Sequence, residues 1–187
     1  MAVSSQAKPY TVDDLWHLSH ATGQRYELVR GELVEMAPTS PEHGYIELNL
    51  AATLRSFVRE HALGKVVSGE VGFVLDARET PTVRAADVAF IATQRLPGGE
   101  LPKQFAQFAP DLVVEVVSPA DSYSEMMRKV QDWLQAGVRL VWVVDPSAKT
   151  VAVHREGTTV RIYGEEDTLS GDDVLPGFEC KVADIFS

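Results

Sequence analysis

The sequence contains a single cysteine, Cys180, among its 187 residues. One thiol cannot build an internal disulfide framework or a cysteine-rich metal site, so both are excluded. Basic residues are also scarce, since 17 Lys and Arg stand against 27 Asp and Glu and the net charge is −10. This balance argues against a broad nucleic-acid surface, which needs many cations facing phosphates. It still allows a narrow cleft in which metal ions neutralise the phosphates.

Long apolar runs are missing as well. No run reaches the length of about 20 residues that a membrane-spanning helix requires. The N-terminal stretch MAVSSQAKPY lacks the apolar centre of a secretory signal. We therefore expect a cytoplasmic protein without a membrane partner. Because no repeat, low-complexity segment or linker is visible, we expect one domain over residues 1–187, with a flexible N-terminus over residues 1–10.

The spacing of apolar residues predicts a mixed α/β fold with a sheet between helices. The predicted elements are, in order, a short helix capped by Thr11, a hairpin over 26–36, a helix over about 41–61, strands over 65–76, 83–92 and 111–117, a helix from Ser122 to about 136, and strands over 139–146, 150–156 and 158–164. The tail is expected to pack back onto the domain.

The stretch PDLVVEVVSP, residues 110–119, has the pattern of a buried strand but carries two acids, Asp111 and Glu115. A buried carboxylate without a partner is costly or changes its protonation state, so Glu115 is expected to face a cation, a metal or an open edge. Asp87 lies on the neighbouring strand in sequence. Two facing carboxylates repel, and a hard divalent ion such as Mg²⁺ relieves that repulsion. Asp111 is expected to cap its strand or to pair at the surface.

Lys129 is the cation that the next helix brings towards Glu115. On a helical wheel with Val130 at zero, Lys129 lies at about −100°, at the edge of the packed face beside Trp133. Arg128 lies at about 160° and faces solvent. Lys129 can therefore bury its methylenes and direct its ammonium along the sheet edge. A structural pair between Lys129 and Glu115, without any metal, is the alternative.

The long helix over about 41–61 contributes two further candidates. With Leu50 at zero on the wheel, His43 lies near about 20° and Glu47 near about 60°, inside or beside the apolar stripe. His43 is in the first turn, where the end of a helix approaches the edge of a sheet. The alternatives are a His43 that is satisfied by the backbone and a Glu47 that is a solvated edge residue.

Several stretches together resemble the Uma-two family of restriction endonucleases, within the PD-(D/E)xK nuclease superfamily. They are RYELVRGELVEMAPTSPEHG, VRAADVAFI, APDLVVEVVSPADS and RKVQDWLQAGVRLVWVVDP. The resemblance covers about residues 10–187. It implies a restriction endonuclease-like core of helix, three strands, helix and strand, with an extra N-terminal hairpin and C-terminal strands. It also implies a metal-dependent endonuclease that hydrolyses phosphodiester bonds in DNA.

The resemblance implies specific ligands for a Mg²⁺ or Mn²⁺ ion. Asp87 and Glu115 would bind the ion through their carboxylates, and Val116 through its backbone carbonyl. The superfamily lysine usually lies two residues after the Glu, where this chain has Val117. The family pattern moves that lysine to the following helix, which matches Lys129.

Two further positions match the resemblance and one departs from it. His43 matches the recurrent histidine of the family, and Glu47 stands where the superfamily sometimes places an acid on its first helix. Both are therefore counted as catalytic candidates. The proline that usually precedes the first Asp is replaced by Ala86, which weakens the motif match more than the mechanism.

The long connection over residues 93–109 carries more apolar residues than a free loop shows to water. Loops of this length in compact domains are uncommon and often functional. The segment is expected either to cover the protein's own site or to dock on a partner chain. We also expect a homodimer, because a two-fold dimer presents two sites to the two strands of a duplex.

Two other functions are compatible with the same residues. A catalytically inactive domain that keeps the nuclease fold and serves as a protein-interaction module is favoured by the net charge of −10. A glycosidase would use the carboxylate pair, but nothing marks a sugar cleft and Lys129 has no role in that reaction. Titration with Mn²⁺ separates the nuclease from the inactive module.

Overall fold

The computed structural model describes residues 8–157 and 159–187. Its helices are α1 (Val12–Thr22), α2 (Pro41–Glu60), α3 (Tyr123–Gln135) and α4 (Val182–Phe186). Its strands are β1 (Tyr26–Val29), β2 (Glu32–Glu35), β3 (Gly64–Asp76), β4 (Thr82–Ala92), β5 (Leu112–Val116), β6 (Leu140–Asp145), β7 (Thr150–His154), β8 (Arg161–Tyr163), β9 (Thr168–Ser170) and β10 (Glu179–Lys181). Two 3-10 turns, Thr93–Arg95 and Pro97–Gly99, follow β4.

One sheet contains all of the strands from β1 to β8. Its order is β2-β1-β4-β5-β6-β7-β8, and β3 pairs with β4 outside this path. β5 and β6 run parallel, because α3 crosses over between them, and the other pairs are antiparallel. The predicted mixed α/β fold is confirmed, and the series α2, β3, β4, β5, α3, β6 has the predicted order of helix, three strands, helix and strand.

The helix starts follow from capping chemistry. Thr11 and Asp14 form a capping box at α1, and Ser122 and Glu125 form another at α3. The side chain of Ser40 accepts a hydrogen bond from the His43 N–H, and Pro41 occupies the first turn of α2. Each arrangement satisfies backbone N–H groups that the first helical turn leaves without partners. The predicted caps at Thr11 and Ser122 are confirmed.

The two faces of the sheet pack against different helices. On one face Val114 joins the core that includes Leu50 and Leu54 of α2. On the other face Val113 joins the core that includes Trp133 of α3. Because strand side chains alternate, Glu115 has the same parity as Val113 and lies on the α3 face. This parity brings the acid of β5 under α3.

The segment over residues 93–109 packs on its own chain. Ala106 forms a bridge with Phe73, and the Val74 N–H donates to the Ala106 carbonyl at 2.8 Å. The ring of Phe105 lies so close to Gly72 that a Cβ atom at that glycine would come within 2.5 Å of Phe105 Cδ1. The segment is therefore fixed on β3, where Leu96, Ala106 and Ala109 are buried, while Leu101 stays exposed.

The C-terminal region folds back as expected, although its elements differ from the prediction. Asn49 Nδ2 donates to the Ile185 carbonyl at 3.1 Å, and Tyr45 Oη donates to the Ser187 carbonyl at 2.6 Å. The strand predicted over 158–164 is shorter, at Arg161–Tyr163, and part of that range lies outside the described residues. β9, β10 and α4 were not predicted, because strands of three residues and a helix of five leave too short a pattern to read.

The N-terminal stretch predicted to be flexible, residues 1–10, lies mostly outside the described residues. Within the described part, the Tyr10 N–H donates to the Gly31 carbonyl at 2.9 Å. None of the helices in residues 8–157 and 159–187 combines the length and the apolarity needed to cross a membrane.

Candidate functional site

Asp87 and Glu115 face each other where β4 and β5 separate. The two strands pair antiparallel through Val88 and Val114, so continuing the register by one residue places Asp87 opposite Glu115. Both side chains are buried, with 6% and 1% of their residue surfaces exposed. Asp87 Oδ2 accepts the Val116 N–H at 2.7 Å. Glu115, which strand parity selected, and Asp87, which was placed by its neighbouring strand and by the family resemblance, thus lie at one place on the sheet.

Glu115 is tolerated in its buried strand because both of its oxygens have donors. Lys129 Nζ lies 2.8 Å from Oε2, and Trp133 Nε1 donates to Oε1 at 2.6 Å. The Lys129 ammonium therefore lies beside Glu115, in the direction that the helical wheel predicted. Trp133, assigned to the core from its spacing, is a core residue that also donates this hydrogen bond.

The protonation of this pair reflects burial and neighbouring charge. Burial raises the pKa of Glu115 to about 8, and the charge of Asp87 adds to this rise while Lys129 opposes it. Burial alone would lower the pKa of Lys129, but the charges of Glu115, Glu27 and Asp87 outweigh it and raise that pKa. The ammonium therefore keeps its proton among the carboxylates.

His43 of α2 reaches the same place from the other face of the sheet. Its Nε2 lies 3.1 Å from the Val116 carbonyl oxygen and 3.3 Å from Asp87 Oδ2. Burial favours the neutral ring, but the hydrogen bond and the charge of Asp87 prevail and raise the pKa of His43. Its Nδ1 is buried and has no hydrogen-bond partner among the described residues.

Glu47 lies one turn further along α2 and is half-buried. Its Oε1 accepts the Gly69 N–H at 2.7 Å, where an irregularity in β3 between Ser68 and Val71 exposes that donor. Burial raises the pKa of Glu47, and the nearby charges of Asp87 and Glu70 add to the rise. Glu47 therefore belongs to the surroundings of Asp87.

Three charged residues of the site were not predicted from the sequence. Glu27 of β1, Arg84 of β4 and Asp132 of α3 form a chain of ion pairs next to Lys129, in which Glu27 and Arg84 are buried and Asp132 is half-buried. The available signal was Arg84 in the stretch VRAADVAFI, which is apolar apart from Arg84 and Asp87, because a buried guanidinium needs carboxylate partners. Burial opposes the ionisation of Glu27, but the charges of Lys129 and Arg84 outweigh it and lower the pKa of Glu27.

The expectation for Asp111 was partly wrong. Asp111 does pair, but it is 2% exposed and does not lie at the surface. Its Oδ1 accepts from Arg95 Nε at 2.9 Å, and its Oδ2 accepts the Ala92 N–H at 2.8 Å. These donors come from the end of β4 and the turn that follows it. Asp111 therefore ties down the opposite end of β5 and stays outside the site.

Few side chains around Asp87 could serve as metal ligands. Within the described ranges, no three His, Cys, Asp or Glu side chains are grouped so that they could hold a metal ion. The oxygen atoms that would face a hard cation are those of the Asp87 and Glu115 carboxylates and of the Val116 carbonyl, most of which also accept hydrogen bonds from the protein. A set of one or two carboxylates completed by water and phosphate oxygens is typical for Mg²⁺.

Comparison with known proteins agrees with this architecture. The structure is similar to that of a "putative nuclease belonging to DUF820" from Anabaena variabilis, with a TM-score of 0.83 and 19% sequence identity, covering 95% of this chain and 98% of that chain. At this identity the likeness shows the shared fold. The sequence matches no curated protein. The model of the Uma2 family, described as "Putative restriction endonuclease", matches residues 12–183, and the chain therefore belongs to the Uma2 family.

Proposed function

We propose that the protein is a metal-dependent endonuclease that hydrolyses phosphodiester bonds in DNA. The observation that carries this proposal is the opposition of Asp87 and Glu115 on neighbouring strands, with Lys129 Nζ 2.8 Å from Glu115 Oε2. Two buried acids and one half-buried ammonium at a sheet edge form a set that can serve an ion and a phosphate together. Membership of the Uma2 family supports the same reaction class.

The charge of the buried cluster suits a divalent cation. With all four of its carboxylates ionised, and before His43 is counted, the cluster holds two cations and four anions, which leaves two negative charges in excess. Glu115 reaches this state above its pKa of about 8, and a bound cation would favour the same state at lower pH. The members of the cluster are Lys129, Arg84, Glu27, Asp87, Glu115 and Asp132. A Mg²⁺ or Mn²⁺ ion held by Asp87, Glu115 and the Val116 carbonyl would balance that excess. Such an ion, when bound, polarises a phosphate oxygen and lowers the pKa of a bound water.

The side chains around this position would have distinct tasks. Lys129 would orient the attacking water or stabilise negative charge that develops on the phosphate, because its ammonium stays protonated in the site. His43 would fix Asp87 and the Val116 carbonyl through its Nε2. Glu47, with a pKa raised by burial, would accept a proton near Asp87.

The second candidate is a domain that keeps the nuclease fold without catalysis and serves as a protein-interaction module. It is favoured by the hydrogen bonds already made inside the site. Both oxygens of Glu115 and the carbonyl of Val116 have donors from the protein. A network satisfied in this way is stable without an ion.

Calorimetric titration with Mn²⁺ and a plasmid-nicking assay with Mg²⁺ or Mn²⁺ separate the two candidates. The nuclease proposal expects one binding event and metal-dependent cleavage in the wild type, with both lost in Asp87→Asn and Glu115→Gln. Glu100→Gln, at an exposed position of the 93–109 segment, controls for the loss of one negative charge. Equal Mn²⁺ affinity in the wild type and both site variants would overturn the proposal.

A further inference from the structure

Lys129 has a second carboxylate partner besides Glu115. Its Nζ lies 3.3 Å from Oε1 of Glu27, which belongs to β1 and reaches the site from the far side of β4. Glu27 is buried, with 6% of its surface exposed. Its Oε1 also accepts the Ala85 N–H at 2.8 Å. The ammonium of Lys129 is thus held between Glu115, which faces Asp87, and Glu27, which belongs to β1.

Arg84 fixes both Glu27 and the helix that carries Lys129. Its Nη1 donates to Glu27 Oε2 at 2.6 Å, and its Nε and Nη2 donate to Asp132 Oδ2 at 2.9 and 2.6 Å. Asp132 lies three residues after Lys129, on the same side of α3. One guanidinium therefore holds the anchor of the ammonium and the helix turn from which the lysine extends.

We infer that Glu27 is a positioning residue that holds the Lys129 ammonium in place while Glu115 binds a divalent cation. The inference rests on the proposed function. The reason is that Lys129 and the ion would compete for Glu115. Lys129 Nζ contacts Glu115 Oε2, and the same carboxylate is expected to bind the ion. Without another acid, a flexible lysine would lose its contact at the moment its charge is needed.

Glu27 suits this task because its oxygens are already committed. Oε1 faces the Ala85 N–H and Lys129, and Oε2 faces Arg84. Its strand, β1, is separated from the strand of Glu115 by β4. Glu27 is therefore an anchor for the lysine and not a ligand of the ion, although it is a carboxylate in the same cluster.

Steady-state kinetics of Mn²⁺-dependent plasmid cleavage test this role in four proteins: wild type, Glu27→Gln, Lys129→Met and the double variant. We expect Glu27→Gln to lower kcat at least about tenfold, with KM and Mn²⁺ affinity changed less than about twofold. We expect no further loss when Glu27→Gln is added to Lys129→Met, because residues that act as one unit are not additive. Glu32→Gln, exposed in the same hairpin, is the matched control.

Two kinetic results would overturn the inference: an unchanged kcat in Glu27→Gln, or equal losses in the wild-type and Lys129→Met backgrounds. Mn²⁺ binding weakened more than about tenfold would also overturn it. The last would place Glu27 among the ligands of the ion. Should Glu27→Gln fail to fold, Glu27→Asp keeps the charge next to Arg84 but shortens the reach to Lys129, and the same loss of kcat is expected.

A crystal structure with Mn²⁺ separates this inference from the proposed function. We expect the wild type to keep Lys129 Nζ beside Glu27 when Mn²⁺ is bound, and Glu27→Gln to lose that position. If the wild type shows this arrangement but cleaves no DNA, the proposed function fails and the inference stands. If Lys129 leaves Glu27 in the Mn²⁺-bound wild type, the inference fails. If no Mn²⁺ binds, both fail.

Discussion

Replacing Glu115 with Gln removes an ionisable group from a position that is 1% exposed. Burial raises the pKa of Glu115 from its ordinary value of 4.5 to about 8. At about 1.4 kcal/mol for each tenfold change in proton affinity, this difference corresponds to about 5 kcal/mol. The amide introduced by Glu115→Gln does not titrate, so the variant reveals how much of the pH dependence of folding belongs to this one carboxyl group.

The direction of the pH dependence of stability follows from the direction in which the pKa of Glu115 changes on folding. Because the pKa is higher in the folded state, the contribution of Glu115 to stability is complete below the unfolded value of 4.5 and is lost as the pH rises towards 8. The wild type should therefore lose stability relative to Glu115→Gln across this range. We expect the difference in unfolding free energy to shift by about 3–5 kcal/mol in favour of the variant between pH 5 and pH 8.5.

Urea denaturation at half-unit steps from pH 5 to pH 8.5, without divalent ions, measures this difference directly. Glu100→Gln is the control and should follow the wild type at each pH. Adding Mn²⁺ at about 100 times its dissociation constant should stabilise the wild type at pH 8 by about 2.7 kcal/mol and leave Glu115→Gln unchanged. A difference between variant and wild type that does not vary with pH would refute the reasoning about burial.

Three further outcomes are expected. Lys129→Met should lower kcat for cleavage to a small but measurable value and, at pH 9, cost about 3–5 kcal/mol of unfolding free energy, because it leaves Glu115 buried without its cation; unchanged urea stability would contradict this. Burial lowers the pKa of His154, whose Nε2 has no hydrogen-bond partner in the described part of the chain. Because the unfolded state then binds the proton more tightly, the wild type should lose stability as the pH falls below about 6.5. His154→Leu should remove that loss and raise Tm by about 2–4 °C; calorimetric pH profiles of equal slope would count against it. Sedimentation velocity should show the proposed homodimer, and a monomer at all concentrations would exclude it.

Local patterns in the sequence were sufficient for the main elements of the fold. The capping boxes at Thr11 and Ser122 set the starts of two helices within a few neighbouring residues. The alternation in β5 and the apolar run in β6 reflect which faces are buried. β9 and β10 could not be predicted, because each has three residues and gains its stability from pairing with the other.

Part of the site could also be predicted from local patterns in the sequence. Strand parity selected Glu115, and the helical wheel selected Lys129, since both arguments need only the regular geometry of one element. The carboxylate of Asp87 was placed by its strand and by the family resemblance. Its catalytic role, like those of His43 and Glu47, stays a prediction.

The sequence by itself determined which faces of β5 and α3 carry charge, because periodicity within an element is a local property. Only the tertiary structure decided what those charges meet. Arg84 bonds to Glu27 across 57 positions of the chain and to Asp132 across 48. Such partners come together only after β1, β4 and α3 have packed. A charged residue within an apolar stretch indicates that a partner is needed. Its identity cannot be predicted, because any oppositely charged group that the fold brings within reach offsets the cost of burial.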